Sequence, residues 1–278
     1  MKHERRDQHC MPGTPGKEKF KMKNITGLLA ILIMVLFMSM PGRVSAQEEA
    51  QGDKWQFGAE LYLWMASIGG TATSGEDIDI DFDTIIDNLD MAFMGGLQAK
   101  KGKWSFMLDA IYLNASGDKS GTITVPIGPG VELPVNASLE LKNWIVFPYV
   151  GYNLVTTEKA QLDILGGARY LWMEADLGLS LVAPPVSRTI SDSGNVWDAI
   201  VGVRGKLILS ENWYLPYHFD VGTGQTDFTW QAFAGIGYSF SSIDVVAAYR
   251  YLEWDFDDND VFDDMNVNGP LLGVRFRW

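Results

Sequence analysis

The sequence predicts an all-β protein, an antiparallel up-and-down transmembrane β-barrel of about ten strands, with eight or twelve as the alternatives. Three observations predict it. Apolar and polar residues alternate with period two in run after run, the connections between runs alternate between short and long, and nine of the ten tryptophans sort to two levels along the runs.

The first 46 residues are different in kind. A basic stretch is followed by the unbroken apolar run Leu28 to Met38, then Pro41, then Val44 to Ala46 with Gln47 behind it. Charged flank, short apolar segment and small residues make a secretory signal peptide, with a cut expected after Ala46. The apolar run is too short to cross a bilayer as a helix, which takes about 20 residues. Residues 1 to 21 make the leader over-long, since Met22 and Lys23 would begin an ordinary one. Two segments result: the leader, 1–46, and a barrel domain, 47–278.

Removing eight of the 22 Lys/Arg and three of the 35 Asp/Glu leaves 14 basic and 32 acidic residues, a net charge of −18. A surface so acidic excludes nucleic acid as a partner. Cys10 leaves with the leader, so the exported chain has no thiol chemistry, and His218 becomes its only histidine. No cofactor is implied.

Ten runs follow in order. Run 54–67 carries Glu60 on its less apolar face, 90–100 carries Gly96, and 103–116 carries Asp109. Run 136–153 carries Glu140 and Lys142, and 160–175 carries Asp163 and Arg169. Run 195–209 sets Trp197, Ala199, Val201 and Val203 against Asp198, Gly202, Arg204 and Lys206. Run 212–222 sets Trp213, Leu215, Tyr217 and Phe219 against Tyr214, Pro216, His218 and Asp220, and 227–240 sets Phe228, Trp230, Ile236 and Tyr238 against Thr229, Gln231 and Gly235. Run 243–255 carries Asp244 and Arg250. The last, 266–278, sets Leu272, Val274, Phe276 and Trp278 against Gly273, Arg275 and Arg277.

Tight turns fall at 100–103, 156–159, 210–212 and 241–243, whereas the other connections, 223–226 excepted, are longer and more acidic. Short turns at one end and long loops at the other suit a membrane barrel. Trp55, Trp104, Trp213 and Trp278 lie beside short turns or termini, and Trp64, Trp172, Trp197, Trp230 and Trp254 lie near the loop ends, with only Trp144 mid-strand. Two such rows match interfacial aromatic girdles.

Leader, alternating runs and the terminal Leu271–Trp278 stretch together resemble a small Gram-negative outer-membrane β-barrel, of the broad group containing the transmembrane domain of outer-membrane protein A. The resemblance implies location in the outer membrane, contact with its lipid and lipopolysaccharide, and reading of Leu272, Val274, Phe276 and Trp278 by the barrel assembly machinery.

The inward faces then present Glu60, Asp109, Glu140, Asp163, Asp198, Asp220 and Asp244 against Lys142, Arg169, Arg204, Lys206, Arg250, Arg275 and Arg277. Charges in a narrow interior are costly unless paired, so a salt-bridge network is expected to plug the lumen. About ten strands fall far short of the 16 to 18 that leave a porin channel. A structural or surface-interaction role is therefore expected first, and a narrow small-solute channel is a further reading.

His218 and Asp220, two apart on an inward face near a loop end, are the raw material of a general base. In this they resemble omptin proteases and lipid A deacylases, which implies an outer-membrane hydrolase as the alternative. The order here is His-Phe-Asp, no second omptin-like Asp pair is found, and Ser is missing at the deacylase spacing. Two acid-rich stretches, 76–90 and 255–264, are expected as solvated loops. Neither has the Gly of an EF-hand, so no defined metal site is expected; Asp77, Asp79, Asp81, Asp83, Asp257, Asp258 and Asp260 are at most weak cation ligands. Asp77 to Asp83 alternate with Ile78, Ile80 and Phe82, which allows an extended stretch that continues the sheet.

Overall fold

Period-two alternation becomes strand in all ten runs, whereas the Asp/Ile alternation of 77–83 is strand only to Ile80 and continues as helix from Phe82. The computed structural model describes residues 54–73, 75, 77–125, 131–181, 186–256 and 262–278. The leader, its cut after Ala46, and Asp257, Asp258 and Asp260 lie outside the described residues.

The chain runs β1 (Gln56–Trp64), β2 (Ser67–Ala72), β3 (Asp77–Ile80), α1 (Phe82–Asp87), β4 (Leu89–Lys101), β5 (Trp104–Val125), β6 (Val131–Thr156) and β7 (Ala160–Leu181). It continues through β8 (Val186–Ile208), β9 (Trp213–Gly224), β10 (Phe228–Ser239), β11 (Ile243–Asp255) and β12 (Phe262–Arg277). Neighbours in sequence pair antiparallel from β4 to β12, β1 pairs with β4, and β12 pairs back on β1 to close the cylinder. β1 and β2 lie end to end along β12, opposite 271–277 and 262–268, so they form one barrel strand broken at Met65 and Ala66. Counted this way the barrel has ten strands.

Closure uses the last residue. The Phe57 amide donates to the Trp278 carbonyl at 2.9 Å, and the Trp278 amide donates to Phe57 at 3.0 Å. The start of β1 and the end of β12 therefore meet at the short-turn end. At the turn after β4, Gly102 takes a positive φ of 58°, a conformation glycine adopts without Cβ strain. At the turn after β6, the Thr157 hydroxyl accepts the amides of Lys159 and Ala160.

At the other end the structure departs from expectation. Strands β5 to β8 run far past the alternating runs, with unbroken pairing from Ser116 opposite Glu140 to Val125 opposite Val131. What the sequence suggested were long loops at 117–135 and 176–194 are mostly paired strand. Alternation between apolar and polar residues is weak in these stretches, so the pattern that marks a strand is lost while the backbone pairing continues.

The polarity of a soluble protein is inverted. Leu97, Val201 and Leu272 on the outer face are 61%, 64% and 54% exposed, while Arg169, Asp198 and Asp220 on the inner face are buried to 1% or less. Outer aromatics gather at two levels. Trp104 meets Tyr152 and Trp213 meets Tyr238 near the short turns; Tyr112 meets Trp144 and Tyr170 meets Trp197 higher up. Trp104 and Tyr112 are eight residues apart on β5, or about 26 Å along the strand and roughly 20 Å along the normal after tilt, close to the apolar band of a membrane barrel. Trp144 is mid-strand only because β6 continues past the girdle.

Inside, glycines make room for large neighbours. A Cβ on Gly202 would lie 2.6 Å from the Cβ of Asp220 and closer still to the Phe219 carbonyl. Gly202→Ala is expected to cost about 1–3 kcal/mol by forcing backbone apart at β8–β9, seen as a lower urea midpoint with the barrel still formed.

Candidate functional site

Inward-facing side chains from six strands converge in the middle of the lumen. On β9 the His218 Nε2 is 2.5 Å from Asp220 Oδ2. Arg169 of β7 reaches Asp220 Oδ1 at 2.5 Å and also bonds Thr229 of β10. Gln231 Nε2 donates to Asp220 Oδ2 at 3.0 Å, and its Oε1 accepts from Arg250 Nε of β11 at 2.7 Å. Arg250 then donates to Asp109 of β5 at 3.0 Å and to the Tyr62 hydroxyl of β1 at 3.2 Å, while that hydroxyl donates to Asp109 at 2.6 Å. One continuous polar chain thus crosses the barrel from His218 to Asp109.

Below it, toward the short turns, lies a second set. Glu60 accepts from Arg275 at 2.6 and 2.9 Å across the closing seam. Asp244 accepts from Arg277 at 2.8 Å and from Ser239 at 2.6 Å. Asp163 takes an amide hydrogen of Asn153 at 2.6 Å, Lys206 lies over the Tyr214 ring, and Arg204 reaches the Met107 sulfur. Between these groups is a chamber of about 330 Å³ that His218 also lines and that reaches the short-turn end past Gln56, Lys100 and Arg277. His218 is mid-strand, facing this chamber, rather than near the loop end. At the loop end, Asp198 accepts the Thr226 amide and hydroxyl at 3.0 and 2.9 Å.

Two residues expected in the lumen are outside it. Glu140 and Lys142 share the parity of exposed Trp144, whereas Ile145, Phe147 and Tyr149 are the buried, inward positions of β6. Lys142 pairs with Glu140 and Glu174, each at 3.2 Å, on the outer wall above the girdle. Its ammonium pKa is raised by Glu140 and then Glu174. The rule that the less apolar face points inward fails there, since above the membrane the outer face is the wetter one. One residue of each sign leaves, and the six acids and six bases that remain still balance.

Sequence reasoning also missed what lies over the polar chain. Trp64 and Trp254, expected in the girdle, point inward and are 2% and 0% exposed. They join Phe147, Ile145, Leu252 and Met265 in an apolar layer at the loop end of the lumen. The Arg250 guanidinium lies 4.9 Å from the Trp64 ring centre and 4.8 Å from that of Phe147, and Arg169 lies over Phe147 and Trp254 at 5.4 and 5.8 Å. Cation–π contact therefore joins the two layers. The signal was present: Trp64 is four residues from Glu60 and Trp254 four from Arg250, which in a strand means the same face.

Of the acid-rich segment, Asp77 and Asp79 point outward from β3 while Ile78 and Ile80 face in, and β3 pairs with β2, continuing the sheet as the alternation allowed. Asp81 precedes α1 and Asp83 sits in its first turn, exposed. At the terminus, Leu272, Val274, Phe276 and Trp278 share the outer face of β12; Trp278 is 65% exposed and Phe276 nearly covered.

No family model matches the chain, and no curated protein matches it. Solved structures similar to it are membrane barrels. The outer-membrane protease OmpT of Escherichia coli aligns at 9% identity with a TM-score of 0.49, over 85% of this chain and 99% of that one. The translocator domain of the autotransporter NalP of Neisseria meningitidis aligns at 16% and 0.41, over 92% and 98%. The attachment invasion locus protein Ail of Yersinia pestis aligns at 10% and 0.34, over 81% and 99%. At such identities and scores they say nothing of what this chain does, and the closed ten-stranded barrel stands on its own strand pairings.

Arg250→Met leaves Asp109 buried without its cation and is expected to cost about 3–5 kcal/mol. Adding Asp109→Asn, which keeps an acceptor for Tyr62, is expected to recover most of that loss in urea titrations of the lipid-reconstituted protein.

Proposed function

We propose that the chain is an integral outer-membrane barrel with a shut lumen, whose role is structural and in surface contact rather than conduction. One observation carries the reading: Arg250, ion-paired to Asp109 across the lumen, lies over the Trp64 and Phe147 rings, which favours a lumen closed at that level. The exposed apolar outer wall and its two aromatic levels favour lipid around it. Strands β5 to β8 extend well past the upper aromatic level, a wall suited to contact with lipopolysaccharide or a neighbouring cell. In this reading the leader is cleaved after Ala46, and the assembly machinery reads Leu272, Val274, Phe276 and Trp278.

A second reading, a hydrolase, is favoured by the His218–Asp220 pair facing a chamber. Against it, both Asp220 oxygens are already held by Arg169 and Gln231, which anchors the carboxylate inside the lumen network.

Purified protein in planar bilayers is expected to give no steady single-channel openings; steady openings would overturn the shut lumen. His218→Ala is expected to leave peptide and lipid A hydrolysis at the parent's level, and a loss of either activity would instead establish the enzyme.

A further inference from the structure

The barrel wall is not zipped along its whole height. β1 and β4 pair from Gln56 opposite Lys100 up to Leu61 opposite Gly95, and no further. Above that, β4 still pairs with β5 through Leu89, and β1 and β2 still pair with β12, but between them the ladder is open. The Trp64 amide, which would have continued the ladder, meets the Met94 sulfur at 3.2 Å instead. Open strand edges are tolerated at membrane depth only where protein buries them or water reaches them.

Protein fills it in part. The β2–β3 hairpin and α1 stand in the gap, turning Ile78, Ile80, Phe82 and Ile85 inward. Behind them remains a cavity of about 140 Å³, walled by lumen residues such as Ile111, Ile145 and Met265 and reaching Leu63 on the outer face. Leu63 is 49% exposed, and Phe93 across the gap is 46% exposed. Phe93 pairs with Tyr112 of the upper aromatic level, so the gap opens where acyl chains meet headgroups. An apolar cavity of about this size stays dry and takes an apolar guest.

We propose that this cavity is a binding site for an acyl chain of the surrounding lipid, entering sideways between β1 and β4. The proposal rests on the barrel being membrane-embedded, because that is what places acyl chains at the gap. It accounts for a feature that the shut lumen leaves unused, an apolar chamber connected to the wall rather than to the polar vestibule below. It also gives the Asp/Ile alternation of β3 a purpose: aspartates outward to water, isoleucines over the guest.

Tryptophan quenching by brominated acyl chains tests it, since bromine quenches only on contact. The full-length processed protein is reconstituted in vesicles of dibrominated phosphatidylcholine, and the quenched emission is compared among the parent, Trp64→Phe and Trp230→Phe. Trp230 is an outer-face residue and reports on lipid alone. Both substitutions are expected to remove a share of the quenched emission, and Ala92→Phe, which fills the cavity, is expected to remove the Trp64 share while sparing that of Trp230. Loss of the Trp230 share with none from Trp64 overturns the acyl site and leaves the membrane barrel standing. Loss of neither overturns the membrane barrel itself. Quenching of Trp64 by free dibromobenzene but not by brominated chains assigns the cavity to a small solute and overturns the acyl assignment. Should Trp64→Phe fail to give a heat-modifiable folded band, Ala92→Phe decides alone: unchanged quenching overturns the site and reduced quenching supports it.

Discussion

Charge neutralisation inside a cylinder a few side chains wide is the constraint on which this structure depends. A charge stranded there loses water without gaining a partner, and the cost grows as the local dielectric falls. The barrel answers with partners drawn from different strands: Glu60 with Arg275 across the closing seam, Asp109 with Arg250, Asp220 with Arg169. Each pair ties together strands distant in sequence, so the polar interior does for this fold part of what an apolar core does for a soluble one.

Arg250 is where the polar and apolar parts of the lumen meet. Its nitrogens face Asp109, Gln231 and Tyr62, and its central carbon lies over the Trp64 and Phe147 rings. A planar, delocalised cation suits this position, since it donates in its plane and stacks across it, which a lysine ammonium does not. Above it the lumen turns apolar; below it a chamber lined by charged and polar groups opens toward the short turns. The same polar chain that crosses the barrel holds Asp220 beside His218, so the pair that looked like a general base also belongs to the framework.

Much of the fold was legible because a membrane barrel writes its in–out alternation directly into the chain. Ten strands, their order, the short-turn end and the outward position of Leu272, Val274 and Trp278 all follow from period two and turn residues. Strand ends at the loop side were not legible: past Ser116 the alternation that marks a strand fades while the backbone pairing continues. The same loss of contrast placed Glu140 and Lys142 on the wrong face. Trp64 and Trp254 were misplaced for another reason, a preference for putting tryptophan in the girdle over the parity shared with Glu60 and Arg250.

The sequence by itself determined which residues of a strand share a face, since successive side chains point opposite ways whatever lies beside them. Which acid meets which base was decided only by closure and register: Glu60 reaches Arg275, 215 residues away, because β12 returns to β1, and Asp109 reaches Arg250 because the lumen is narrow enough to span. The break at Met65 and Ala66, the open β1–β4 seam and the cavity behind it belong to the tertiary structure alone. No alternation rule states where two strands stop pairing, because that depends on what fills the space between them.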